Sequence, residues 1–455
     1  MPNSQCPMPN SQCPIPNALF AQCPIFNLKS CWVKSKMVHF PSWLPQLNPQ
    51  VWILAVGRFL SEVGTGFTLF YAPIFFVNQV GLSATAVGFA LGSASISGVV
   101  GRILGGMGAD SEWWGRRRTL LLSSAISAIG SLFLATSNNF ATLVIGNLIG
   151  GLGMGLYWPA TEAFVADVTP IENRREAFAL TRLADNLGLC MGIVLAGVLV
   201  AITGSYRSLF IIDAISFIVF FVVVYVAIQE TYQPQQTQNH QKARHLTSWM
   251  TALSDRRLLI YVFVNIIFTT YISQLHSTLP VYFKNFVTVG NSGKGFAETT
   301  ISSLFAWHLA LAILCQLPVA RALKRLSHSL ALTISAILWA VGFSFIWVCS
   351  IAPSHHLLWA ILALGVFAVA IVSYTPSAAS LVSDFAPENQ RGVYFSINSL
   401  CWTVGYFIGP PLGGWALDQP RIVANNFWLG FSFSVVITVA ILQYLSQVLK
   451  RPEGE

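Results

Sequence analysis

Six charged side chains and two histidines stand where charge is most costly, inside long apolar segments. Arg58 and Glu62 are four residues apart, so they share one face of a helix and could neutralise each other or face a substrate as a pair. Glu162 follows Tyr157-Trp158-Pro159. Arg182, Asp185 and Asn186 form a second group, with Asn186 on the Arg182 face and Asp185 three residues from it. Asp213, His276 and His308 occur singly, and Asp213 is expected near the outer interface. A charge placed mid-helix in a bilayer costs about 2.5–3.5 kcal/mol even on insertion scales, so these residues are the first candidates for substrate or ion handling. A carboxyl's hold on its proton depends on burial and on any neighbouring arginine. The carboxyls at 62, 162 and 213 could therefore exchange protons as gates open and close. For each, a fixed salt bridge between helices is the plainer alternative, and a hydrogen-bonded structural role is the plainer one for each histidine.

The elements that must hold these groups are membrane helices. Of the 455 residues, 54% are hydrophobic and 9% charged, against about 25% charged in a soluble domain. Twelve apolar segments reach the roughly 20 residues a crossing requires. They fall near 51–77, 83–107, 118–137, 140–166, 176–202, 206–229, 258–286, 299–319, 328–350, 357–382, 392–416 and 425–447. None shows the ten-residue alternation of a membrane barrel strand. The fold class is all-α, with two pseudo-symmetric six-helix bundles at 51–230 and 257–450, joined by a polar cytoplasmic linker at 231–256.

Basic residues orient the chain. One set of loops carries fifteen, among them Arg116, Arg117, Arg118, Arg174, Arg175, Arg256, Arg257, Arg321, Lys324, Arg325 and Arg391. The other set carries four: Arg207, Lys284, Lys294 and Arg421. The positive-inside rule then places both termini in the cytoplasm of a multi-pass inner-membrane (plasma-membrane) protein. The net charge of +8 belongs to this pattern and to lipid headgroups, so no nucleic-acid partner is expected.

The two halves are related. A shift of 217 positions lays Tyr157, Pro159, Asp167, Pro170, Arg174, Gly188, Gly192 and Gly197 on Tyr374, Pro376, Asp384, Pro387, Arg391, Gly405, Gly409 and Gly414. Across 157–197 there are twelve identities in 41 ungapped positions. Apolar bias can match leucines; it does not bring Asp, Arg, Pro and glycines into register. Repeated halves are a mark of transporters.

The loop after the second segment reads Gly105-Gly106-Met107-Gly108-Ala109-Asp110, then Gly115-Arg116-Arg117-Arg118. It resembles the G-x-x-x-D-R-x-G-R-R loop of the major facilitator superfamily at Gly106, Asp110, Gly115, Arg116 and Arg117. It departs from it at Ser111 and by two extra residues before Gly115. The eleventh segment carries Gly405, Gly409, Pro410, Pro411, Gly413 and Gly414, a small-residue packing face with a proline bend. This is similar to an element that drug:proton antiporters of that family carry in their fifth span, where this chain has Gly188, Gly192 and Gly197 without a proline. Leu279 to Phe283 also looks like the multidrug-efflux members. The resemblance implies rocker-switch alternating access, with the 110–117 loop, Arg174 and Arg391 at the cytoplasmic gate.

Taken together these readings predict a secondary transporter, with proton-coupled efflux of small drug-like compounds first. Uptake or facilitated transport of a sugar, organic acid or other metabolite comes second, and a non-transporting membrane sensor last. Small-molecule substrate, protons and the lipid bilayer are the expected partners, and a monomer the expected state. No nucleophile–base set, phosphate loop or ligand spacing points to an enzyme, a cofactor or a metal. The eight cysteines include no CxxC pair, so neither a disulfide framework nor a metal site is indicated. Residues 1–36 open with a proline-rich seven-residue repeat, read as a disordered tail or an overcalled start ahead of Met37.

Overall fold

The computed structural model describes residues 47–231, 250, 252–287, 295–387 and 391–450, without the side chains of Ile171, Arg175, Arg391, Gly392 and Lys450. The repeat tail and most of the linker lie outside the described residues. Fourteen α-helices of eight residues or more are described. α1 (Pro49–Leu69) and α2 (Tyr71–Asn78) make the first crossing. α3 (Ala84–Ala109), α4 (Gly115–Thr136), α5 (Phe140–Val168), α6 (Arg174–Thr203) and α7 (Arg207–Ala227) make crossings two to six. α8 (Arg256–His276) and α9 (Thr278–Asn285) make the seventh. α10 (Glu298–Leu323), α11 (His328–Ile351), α12 (His356–Phe385), α13 (Arg391–Leu417) and α14 (Arg421–Lys450) complete the twelve.

Eleven of these crossings are long and apolar enough to span a membrane by composition. The other is α13, which at 27 residues is also long enough. Its glycines, prolines and tyrosines dilute its hydropathy because it spends them on packing against other helices.

The helix ends follow local chemistry. Asn48, Ser83, Asn139, Asp255 and Ser327 cap α1, α3, α5, α8 and α11 through their side-chain oxygens. Crossings one and seven both break, at Phe70 and at Ser277. In each, a proline three residues on (Pro73, Pro280) cannot donate to the carbonyl one turn back, so the helix yields there.

Packing repeats with the sequence. Crossing 2 packs on 4, 3 on 4, 3 on 6, 1 on 5 and 1 on 6. Adding six to each number gives the pairs of the second half: 8 on 10, 9 on 10, 9 on 12, 7 on 11 and 7 on 12. The two extensive contacts between halves, 2 with 11 and 5 with 8, exchange into each other under the same shift. The molecule is thus two pseudo-symmetric six-helix bundles. The loops rich in arginine lie at one end of the bundles, called here the basic face.

Candidate functional site

Between the halves, the contacts are tightest away from the basic face. There Asp418, just past α13, accepts from the backbone N–H groups of Ala84 and Thr85 at 2.8 Å each and so caps α3 from the other half. Tyr71 meets Ser302 Oγ at 2.6 Å, and Tyr206 donates to Glu298 Oε1 at 2.9 Å. Lys284 pairs with the same carboxylate at 2.6 Å. Gly88 and Gly414 bring α3 and α13 so close that a Cβ at either would strike backbone. Deeper in, Phe70 stacks on Phe305 with centroids 4.0 Å apart. Towards the basic face the halves are joined by a hydrogen bond from Arg102 to Ser399.

The candidate charged groups gather in the first half. Arg58 on α1 is 2% exposed. Its Nε donates to Asp185 Oδ1 at 2.8 Å, and a second N–H reaches the other carboxylate oxygen. This is a two-pronged buried ion pair. The guanidinium also lies 5.5 Å from the ring centroids of Tyr157 and Trp158. Arg182 covers Trp158 at 4.8 Å and pairs with Glu162 at 3.4 Å. Both members of this outer pair are more than half exposed, so they line water rather than lipid.

Glu62 is 8% exposed, and among the described residues it makes no hydrogen bond or ion pair. Its Cβ packs against Gly188 of α6. The spacing of Arg58 and Glu62 predicts a pair on one helix; the structure corrects this, since Arg58 turns to Asp185 on another helix. Arg182 and Asp185 likewise part, each taking a different partner. Asn186 is half-buried beside them.

Asp213 is not interfacial but buried at 6% exposure, with Ser131 Oγ 2.7 Å from its carboxyl. His276 contacts Tyr406 at 2.8 Å and lies 5.4 Å from the Phe70 ring, at the break in crossing seven. His308 contacts the Leu364 carbonyl at 2.9 Å. Both histidines sit away from the Arg58 group.

At the basic face, Arg116 pairs with Asp110 at 2.8 Å and Asp167 at 3.0 Å. Glu230 accepts from the N–H groups of Arg116 and Arg117 at 2.8 and 3.0 Å, an anion on the first turn of α4. Gly115 has φ +75°, and a Cβ there would collide with the Glu230 carboxylate, so glycine is required. Arg117 also covers Tyr225 at 5.4 Å. Arg174 donates to the Ala166 carbonyl at 3.1 Å, closing the end of α5. The side chain of Arg391 lies outside the described residues.

Gly106 faces open space, whereas Gly101 and Gly105 pack closely against α5. Gly188, Gly192, Gly405, Gly409 and Gly413 pack helix on helix, and the Pro410 carbonyl rests on Gly88.

Sequence reasoning missed Glu230, Glu298, Asp418 and the neutral cluster of Asn265, Asn398, Tyr261 and Tyr374. Asp167 carried a signal, its place in the repeat opposite Asp384. Tyr374 carried the same kind of signal, opposite Tyr157; the rest gave none, because their partners lie on other helices.

Comparison with known proteins agrees with this geometry. The family model described as Major Facilitator Superfamily matches residues 54–293 and 286–454. A protein of Planococcus maritimus named Na(+), Li(+), K(+)/H(+) antiporter is 24% identical, over 87% of this chain and 94% of its own length. The quinolone resistance protein NorA of Staphylococcus aureus (strain COL) is 21% identical, over 87% and 97%. Among solved structures, the nucleoside transporter NupG superposes with a TM-score of 0.74 at 15% identity, over 89% of this chain and all of that one.

Proposed function

We propose that this chain, which belongs to the Major Facilitator Superfamily and is a multi-pass membrane transporter rather than an enzyme, exports small organic compounds in exchange for protons. The basic face is assigned to the cytoplasm, with both termini there, in the plasma membrane. On that assignment the described state is open inward: the contacts at Asp418, Glu298 and Tyr71 close the outer side, and Glu162 and Arg182 meet water from within.

The observation that carries the coupling is Glu62. It is a buried carboxyl without a hydrogen-bond partner among the described residues, one helical turn from a buried Arg58–Asp185 pair. An unpaired buried carboxylate is costly, and a neutral acid far less so. A cycle in which Arg58 shifts between Asp185 and Glu62 would tie proton uptake to helix motion between α1 and α6. Substrate would rest on Trp158 and Tyr157 at the edge of the Glu162–Arg182 pair, a setting suited to amphipathic organic compounds. The names of the two relatives, a cation/proton antiporter and a quinolone resistance protein, support exchange against protons and a drug-like substrate, respectively.

The test is proton flux in everted vesicles. Energised vesicles receive lipophilic organic cations, quinolones, metabolites, and Na(+), Li(+) or K(+) in turn. Dequenching of a pH probe on adding an organic compound, lost in Glu62→Gln, is the expected result. A response to the alkali cations alone would replace the organic substrate with a monovalent cation. A response to a metabolite only in right-side-out vesicles would replace export with uptake.

A further inference from the structure

The interior of the first half holds one carboxyl that this cycle does not use. Asp213 on α7 packs between α4 and α1. Its Oδ2 lies 2.7 Å from Ser131 Oγ on α4. Its Oδ1 is buried without a hydrogen-bond partner among the described residues, and points at α1, where a Cβ on Gly64 would come within 3.0 Å.

The charges facing Asp213 offer it no cation. On α1 the ionisable neighbour is Glu62, near enough for the two groups to interact. On α4 the facing side chains are serines, and Arg116 to Arg118 stand at the far end of that helix. On α7 itself, Arg207 is taken by the Ala135 carbonyl and by Asn138. Asp213 enters no ion pair among the described residues.

The single hydrogen of Ser131 then has two acceptors to choose between, the Ser127 carbonyl and the Asp213 carboxyl. Ser131 Oγ lies 3.2 Å from the Ser127 carbonyl as well as 2.7 Å from Asp213. A carbonyl oxygen only accepts, and a serine hydroxyl has one hydrogen. If that hydrogen goes to Ser127, the Ser131 oxygen can only accept from Asp213. We propose that Asp213 is a proton-binding site closed off from the transport cavity, holding its proton on Oδ2 and donating it to Ser131 Oγ. A neutral acid also explains why Oδ1 stays unpartnered: an ionised carboxylate in that place would leave formal charge on an orphaned buried oxygen. With Glu62 nearby on α1, a neutral Asp213 adds no buried negative charge beside it.

The assignment does not depend on what is transported, and its test uses no substrate. Infrared spectra of the purified full chain in lipid nanodiscs at neutral pH are compared between wild type and Asp213→Asn. A band should vanish from the carbonyl-stretch region of protonated carboxylic acids. In Ser131→Ala the same band should shift, because its hydrogen bond is lost, while remaining present. If Asp213→Asn instead loses intensity only among ionised carboxylates, the proposal is overturned. Should Asp213→Asn fail to fold, Ser131→Ala alone decides: an unshifted acid region overturns the assignment, a shifted band upholds it.

Discussion

The two halves share one set of helix pairings but fill equivalent places with opposite chemistry. Gly188 packs on Glu62 and Gly405 on Thr269; Gly192 packs on Gly66 and Gly409 on Ser273. This equates Glu62 with Thr269 and, one turn earlier, Arg58 with Asn265. In the first half Arg58 meets Asp185 beneath Tyr157. In the second, Asn265 accepts from Tyr374, the repeat partner of Tyr157, and donates to Asn398 at 2.9 Å. Tyr261 donates to Asn398 as well, at 2.7 Å. A charged cluster answers to a neutral amide and phenol network. The basic face repeats the contrast: Asp167 binds Arg116 at 3.0 Å, while its repeat partner Asp384 has His328 at 3.5 Å. The difference teaches that duplication preserved the scaffold, while the side chains at these equivalent places diverged from charged in one copy to neutral in the other.

The largest expected effect tests that contrast directly. Asp185→Ala leaves the Arg58 charge buried and unpaired, which should cost about 3–5 kcal/mol of stability. Tyr374→Phe removes a neutral hydrogen bond from Asn265 and should cost about 1–3 kcal/mol. Thermal melts of the detergent-solubilised proteins measure both. Replacing Arg58 and Asp185 together by leucines should recover most of the first loss without restoring proton flux. Equal losses in the two single variants would break the comparison, since the halves would then be equally dependent on charge.

The next effect separates the halves by how their helices touch. A Cβ at Gly192 meets the Val63 carbonyl and the Gly66 backbone, which cannot move alone. A Cβ at Gly409 meets chiefly the Ser273 hydroxyl, a side chain that can rotate away from the Thr270 carbonyl it now binds. Gly192→Ala should therefore cost about 1–3 kcal/mol as overpacking. Gly409→Ala should cost about 1 kcal/mol, the worth of one exchanged hydrogen bond. The reverse order in the same melts would place the rigid contact in the second half.

How far the sequence reveals this is itself uneven. The twelve crossings, the duplication and the glycine faces are legible because hydropathy and register are written along the chain. The prolines at 73 and 280 mark the two broken crossings in the same way. The partners of the charged residues are not legible. Helical spacing offers Arg58 a partner at Glu62, yet a carboxylate 127 residues away takes it. The reason is geometric: Gly188 and Gly192 draw α6 against α1, and Asp185 arrives one turn from those contacts. Glu230 is hidden likewise, since its task on the first turn of α4 exists only once α7 has folded back.

The smallest expected effect on stability concerns the outer pair. Glu162 and Arg182 are more than half exposed at 3.4 Å, so their attraction is screened by water. Glu162→Gln should change the melting behaviour by less than about 1 kcal/mol. It should nevertheless alter transport, because the glutamine leaves Arg182 uncompensated on the face of Trp158. An organic cation approaching that ring would then meet a net positive charge, and its apparent affinity should fall. A neutral compound of the same shape should be unaffected. Vesicle flux with a matched cationic and neutral pair reads the difference. Equal responses from the two compounds would detach the Glu162–Arg182 pair from substrate choice. The working charge of the first half would then be confined to Arg58, Glu62 and Asp185.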